Sequence, residues 1–230
     1  MNQVNCRVYN DFKRPSKELL DKFRGIPAAN LDDCMGRQAA VNSAIKPIGK
    51  AGLVGSAFTV KVPPGDNLMF HYAMDLVKEG DVIVIDAGGY TERAIFGEIM
   101  VQYLLTKKIA GIIVDGAMRD KEDIAATGLP VYTRAVTPNG PWKNGPGEVN
   151  TTVSCGGRTV SPGDIVVADA DGIVFIKPSD AESVLEKVDA LMAGEAKSLK
   201  AIEETGSLPR PWVIEKLQAL GCEFFDTVEE

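Results

Sequence analysis

Gly111-Ile112-Ile113-Val114-Asp115-Gly116-Ala117-Met118-Arg119-Asp120, with Asp123 close behind, is the stretch whose pattern decides the fold. Its β-branched run is too short for a helix and predicts a buried strand closed by Gly116. Just past that strand, Arg119 puts a guanidinium beside the Asp120 carboxylate. Open α/β sheets gather ligands outside the carboxyl ends of their strands. At such a place Arg119 can grip a carboxylate or carbonyl in a forked geometry, and Asp120 can hold a hard cation. An adjacent Arg-Asp is also an ordinary solvated turn pair, so these two residues alone leave both readings open.

Upstream, residues 92–108 put Ala94, Ile95, Ile99, Met100, Tyr103 and Leu104 on one face, which predicts a helix packed on the sheet. Gly97-Glu98 then falls in its first turns, where a glycine costs up to about 1 kcal/mol against alanine. A ligand drawn close to the amides of a helix amino terminus accounts for that cost, and so does tight helix packing. Before this helix, Glu79-Gly80-Asp81 leads into an apolar run from Val82 to Ile85 and leaves through Asp86-Ala87-Gly88-Gly89. The same shape returns between Pro162 and Gly172, so two strands begin alike; two copies are too few for a solenoid.

Residues 16–24 and 28–36 predict short helices, residues 45–50 and 52–62 strands, and residues 65–78 a helix. In that helix Leu68, His71, Met74 and Leu76-Val77 recur at helical spacing, and His71 is the single histidine of the chain. Residues 131–136 read as a strand and residues 137–147 as a loop rich in proline and glycine. Strands follow at 149–155, 165–168 and 172–176, then an amphipathic helix over 179–199 that 201–206 can extend. Arg210-Pro211-Trp212 opens a last helix that ends at Gly221. Strand and helix alternation followed by a strand-rich half predicts a mixed α/β sandwich. It reads as one domain, with a core over about residues 27–176 and a helical tail over about 179–221.

Composition narrows the chemistry. A chain of 230 residues with 45% hydrophobic and 25% charged residues is ordinary for a globular protein. A net charge of -7 argues against gripping nucleic acid through a broad basic face. No apolar run approaches the ~18 residues that a membrane span needs. Residues 1–14 lack the basic and apolar regions of a signal peptide, and the four cysteines are scattered without a framework spacing. A cytoplasmic protein with reduced thiols is therefore expected. One histidine leaves no zinc ligand set, and neither a Walker loop nor a G-x-S-x-G elbow is present. Carboxylates, arginines and exposed amides remain, and these suit Mg²⁺, which prefers one or two carboxylates and several waters.

Gly65-Asp66-Asn67 with His71, Gly80-Asp81-Val82, Gly97-Glu98, Asp115-Gly116 with Arg119-Asp120, Gly156-Gly157 and Pro162-Gly163-Asp164 stand in one order. Together with Ala168-Asp169 and Asp171-Gly172, the chain resembles the RraA-like family, which includes the class II 4-hydroxy-4-methyl-2-oxoglutarate and 4-carboxy-4-hydroxy-2-oxoadipate aldolases. The resemblance implies a β/β/α swivelling-domain fold, assembled as a homotrimer or homohexamer with active sites between subunits. It implies that Asp120 anchors Mg²⁺ or Mn²⁺ and that Arg119 holds a small 2-oxo acid and steadies its enolate. The amides of Gly97, Glu98, Ile99 and Met100 would bind the substrate carboxylate, and Asp123 would complete the motif. Glu195, or else Glu203, would be the glutamate that such aldolases take from a neighbouring subunit's tail. The implied reaction is retro-aldol cleavage to pyruvate, with oxaloacetate decarboxylation beside it. Some relatives instead regulate an endoribonuclease; they lack the acid after the arginine, which is present here as Asp120.

Overall fold

The computed structural model describes residues 5–227. Residues 1–4, part of the stretch read as lacking a signal peptide, lie outside the described residues. The chain divides into two compact units, Met1–Val188 and Asp189–Glu230. Its elements begin with β1 (Arg7–Val8), α1 (Lys17–Asp21), α2 (Ala28–Cys34), β2 (Lys46–Ile48), β3 (Leu53–Lys61) and α3 (Leu68–Ala73). The middle of the chain forms β4 (Asp81–Asp86), α4 (Glu98–Thr106), β5 (Gly111–Met118), α5 (Lys121–Ala126) and β6 (Val131–Val136). Then come β7 (Glu148–Val149), β8 (Val153–Cys155), β9 (Arg158–Val160), β10 (Ile165–Ala168), β11 (Ile173–Ile176), α6 (Ala181–Thr205) and α7 (Pro211–Ala219).

The fold is the expected mixed α/β sandwich. The large sheet runs β1-β7-β3-β4-β5-β6-β2, and β10 pairs with both β3 and β11. Strands β3, β4, β5 and β6 are parallel, and α3, α4 and α5 cross between them. Parallel strands need such crossovers, and helices cover the face they cross. Phe58, Ile83, Ile85, Ile112 and Val114 pack against the crossover helices through Phe70, Val101, Leu104 and Ile124. The opposite face, with Ala57, Val82, Val84 and Ile113, is covered by the β8–β9 hairpin through Val153, Cys155 and Val160. Sheet, hairpin and helices are the β/β/α layers. The repeated turn-strand shape resolves into β4 and β10, and both lie beside β3, one parallel and the other antiparallel.

Several boundaries differ from the sequence expectation, each for a tertiary reason. Gly116 does not close β5; the strand runs on to Met118 through a register shift between Val114 and Ala117. A bulge lets a strand bend without losing its pairing. Helix α4 starts at Glu98, because Ala94 and Ile95 lie extended beside Ala117 of β5 and not on a helix. Helix α3 stops at Ala73, and its buried residues are Phe70 and Ala73 while Leu68 stays exposed. The strand expected over 149–155 is split into β7 and β8, which pair in different sheets. The tail helix runs unbroken to Thr205.

Charge is buried where strands begin. Asp81 opens β4 with no exposure, and Arg14 meets it with Nε at 2.7 Å and Nη2 at 2.8 Å. The same carboxylate accepts the Lys78 amide at 2.8 Å. Removing one partner of a buried pair strands the other charge, at a cost of roughly 3–5 kcal/mol. Asp81→Ala is expected to lower unfolding free energy by about that amount in urea titration, far more than loss of the exposed Arg37–Asp33 pair.

Candidate active site

The extended segment from Ala94 to Gly97 lies alongside the end of β5. The Ile95 amide donates to Ala117 O at 2.8 Å and the Arg119 amide to Phe96 O at 3.0 Å. Gly97 then caps α4 from outside the helix, with φ -143°. A Cβ at Gly97 would collide with Asp120 Oδ2 and lie 3.1 Å from Arg119 Nε. Glycine allows this close approach, since a Cβ would push the Asp120 carboxylate aside. Because Gly97 lies outside the helix, the propensity cost expected for it does not arise.

Asp120 has φ 60° and ψ 46°, the left-handed region, which a non-glycine residue occupies at a cost of about 1–3 kcal/mol. The surroundings hold it there. Its Oδ2 accepts the Glu98 amide at 2.9 Å and lies 3.7 Å from Arg119 Nε, while its carbonyl accepts the Ile124 amide of α5. One carboxylate thus joins the amino end of α4 to the end of β5. The amides of Ile99 and Met100 follow in the first turn, where no helical carbonyl precedes them. That helix end favours an anion. Arg119 and Asp120 keep 46% and 39% of their side-chain surface exposed, so both can reach a ligand.

A shallow pocket of about 340 Å³ opens here, walled by Arg119, Asp120, Val136, Thr137 and Pro138. The rest of the loop is tied down from two sides. Buried Asp66 accepts the Leu68 amide at 2.9 Å, Asn144 at 2.5 Å and Gly145 at 3.1 Å. Arg93 donates to Gly140 O at 2.7 Å and stacks on Trp142 at 4.0 Å. A Cβ at Gly140 would stand 3.6 Å from Arg119 Nη1, so the loop brings its backbone close to that guanidinium. The role of Asp66 was not legible in the sequence beyond helix capping, because its partners lie nearly 80 residues away.

Arg119, Asp120, Gly97 and Glu98 are brought together, with Ile99 and Met100 next in the first turn of α4. Asp123 is exposed on α5, and Ile99 projects into solvent with 84% of its surface exposed. His71 sits on α3, where burial and the nearby Lys143 ammonium push its pKa below the ordinary value. Both effects favour the neutral imidazole. Glu195 and Glu203 belong to the second compact unit.

A second polar cluster lies on the hairpin side of β5. Asp115 receives Arg134 Nε at 2.7 Å and the Gly156 amide at 2.6 Å, and Asp86 beside it receives the Ser154 amide at 3.2 Å. Cys155 is fully buried against them. Burial, then the two carboxylates, push its thiol far above the usual range.

This α/β architecture brings an arginine, a carboxylate and a helix amino terminus together at one strand end. The family described as RraA-like, Aldolase/RraA, matches residues 17–175, and the chain belongs to it. A relative from Halalkalibacterium halodurans, bearing the provisional name 4-hydroxy-4-methyl-2-oxoglutarate aldolase, is 38% identical over 188 residues, 81% of this chain and 90% of its own. RraAS2 of Streptomyces coelicolor, titled an unusual member of the RNase ES inhibitor RraA protein family, shares 26% identity. It superposes with a TM-score of 0.74 over 82% of this chain and 98% of its own. A protein of Pseudomonas syringae with 24% identity has the same fold, with a TM-score of 0.74 over 86% and 98% of the two chains.

Two outcomes check this geometry. Asp66→Ala is expected to speed amide exchange at Asn144 and Gly145 by about tenfold or more, since each loses its acceptor; unchanged protection refutes the tie. Native protein treated with iodoacetamide at pH 8 is expected to label Cys6 and Cys222, which are exposed, and to spare Cys155. Peptide mass spectrometry reads this directly.

Proposed function

We propose that this chain is a divalent-metal-dependent carbon–carbon lyase. In this reading it cleaves a 4-hydroxy-2-oxo di- or tricarboxylic acid to pyruvate by retro-aldol chemistry and decarboxylates oxaloacetate as a side activity. The observation that carries the reading is that Arg119 and Asp120 wall one pocket while the Asp120 carboxylate also meets the amino end of α4. The name of the Halalkalibacterium halodurans relative supports it.

Among the described residues no three His, Cys, Asp or Glu side chains converge as metal ligands. Asp120 offers a hard, partly exposed carboxylate whose Oδ1 takes no hydrogen bond from the described residues. A single carboxylate with room for waters fits Mg²⁺ or Mn²⁺ and does not fit zinc. Asp120 would hold the cation, which when bound supplies Lewis-acid polarisation of the 2-oxo group.

The protein's own groups account for the rest. With the Glu98 amide held by Asp120, the Ile99 and Met100 amides at the start of α4 bind the C1 carboxylate and fix the substrate's orientation. Arg119 donates to the C2 oxygen, where negative charge develops. In the aldol substrate the C4 hydroxyl loses its proton, the C3–C4 bond breaks, and its electron pair forms the pyruvate enolate. In oxaloacetate the same bond breaks with release of CO₂. Protonation at C3 completes both reactions, and a water held by Arg119 can carry the proton. A donor aimed at such an oxyanion is worth roughly 3 kcal/mol in the transition state. The active form is read as a homotrimer or homohexamer, with Glu195 or Glu203 contributed by a neighbour.

The test is pyruvate release from oxaloacetate with Mg²⁺ or Mn²⁺ and with EDTA. Turnover with metal and none with EDTA is expected; metal-independent turnover, or none at all, sinks the reading. Asp120→Ala and Gly97→Ala should each lower kcat/KM by about 100-fold or more with circular dichroism unchanged. The likeness to RraAS2 favours one other reading, a protein-binding ribonuclease regulator without catalysis. Inhibition of a ribonuclease without pyruvate release would select it.

A further inference from the structure

The end of the sheet remote from Arg119 holds another cavity. It has a volume of about 630 Å³ and reaches Gly80 and Asp81 at the start of β4 and Ala110 just before β5. Arg119 follows the other end of β5, which over eight residues is on the order of 25 Å away. A smaller cavity of about 390 Å³ adjoins it and shares Arg24, Gly52, Leu53 and Val54.

Its charge is opposite to that of the chain. Arg14, Lys17, Arg24 and Lys108 face two acids, Glu79 and Asp81, in a protein with net charge -7. Arg14 is committed to buried Asp81, and Arg24 pairs with Asp21 at 2.7 Å. Lys108 holds Glu79 loosely, at 3.8 Å between two exposed side chains. Lys17 is exposed and makes no ion pair among the described residues. Lys17 thus brings to the mouth a charge that no described residue pairs, and Lys108 one that only the exposed Glu79 meets.

The floor carries an unsatisfied group. Ser56 is 2% exposed, and its buried hydroxyl has no hydrogen-bond partner among the described residues. Side chains alternate along a strand. Val54 and Phe58 pack on the helical side of β3, Val54 beside Leu20, so Ser56 between them points to the side where Arg14 and α1 roof the cavity. Buried polar atoms without partners are rare enough to need a reason. Between the lysines and this hydroxyl the wall is apolar, through Leu20, Leu53 and Val54.

We propose that this cavity is a second ligand site, separate from the Arg119 pocket, for a small amphipathic carboxylate. The acid group meets Lys17 and Lys108, the carbon chain lies on Leu20, Leu53 and Val54, and a far polar atom bonds the Ser56 hydroxyl. Lysines are point charges without the planar fork that arginine offers phosphate, and the apolar wall suits a monoanion with a carbon body. The site does not depend on the reaction assigned to Arg119 and Asp120.

Titration calorimetry of the full chain with 6-hydroxyhexanoate tests this, with hexanoate, 1,6-hexanediol and inorganic phosphate as comparators. Saturable millimolar or tighter binding of 6-hydroxyhexanoate is expected, with weaker hexanoate binding and none for the diol or phosphate. Lys17→Glu with Lys108→Glu should weaken it about tenfold or more, and Ser56→Ala should reduce it to the level of hexanoate. Arg119→Ala should leave it unchanged. Absence of saturation, equal binding of the diol or phosphate, wild-type affinity in either set of variants, or loss of binding in Arg119→Ala overturns the proposal. Circular dichroism melts confirm that each variant is folded.

Discussion

Gly97 passes so close to Asp120 that a Cβ there would push the carboxylate aside, and the candidate active site depends on that approach. The Asp120 carboxylate accepts the Glu98 amide, which docks the start of α4 against the end of β5. A helix amino terminus, a guanidinium and a carboxylate then share one small volume. Each is ordinary alone. Together they set two positive features against one carboxylate.

The scaffold makes such precision sustainable. Strand β5 lies between β4 and β6 and is buried along its whole length, so Arg119 and Asp120 project from a rigid support. The bulge between Val114 and Ala117 lets the strand continue past Gly116 and carry Arg119 to the segment that precedes α4. Ties from Asp66 and Arg93 hold the loop that borders the pocket. The left-handed backbone at Asp120 is the strain left over, and its contacts to α4 and α5 maintain it.

The two ends of the parallel strands carry different chemistry. Where β5 ends, charge is exposed and gathered around an open pocket. Where β4 begins, Asp81 is buried and neutralised by Arg14, and Lys17 and the loosely paired Lys108 stand beside an apolar wall. The Asp115–Arg134 pair, with Cys155 of the hairpin packed against it, is a third polar arrangement, mostly buried and held in part by the Gly156 amide. Burial separates these roles more clearly than residue type does, since all three arrangements use aspartate and a cation.

Apolar runs at Val82–Ile85 and Ile112–Val114, the alternation with helices, and the Arg119-Asp120 motif were legible in the sequence. Local periodicity and composition are enough to specify buried parallel strands, and an acid beside an arginine after such a strand suggests its own chemistry. The reason for Gly97 was not legible, since helix spacing continued through residues 92–97 and concealed that they extend along β5. Nor could the sequence reveal the partners of Asp66, the orphaned hydroxyl of Ser56 or the split of β7 from β8. Those depend on contacts between residues far apart in the chain, which form only when the layers pack. The sequence by itself determined the α/β layers and the residues available for chemistry; the tertiary structure decided which of them meet, because approach distance and burial exist only in the folded chain.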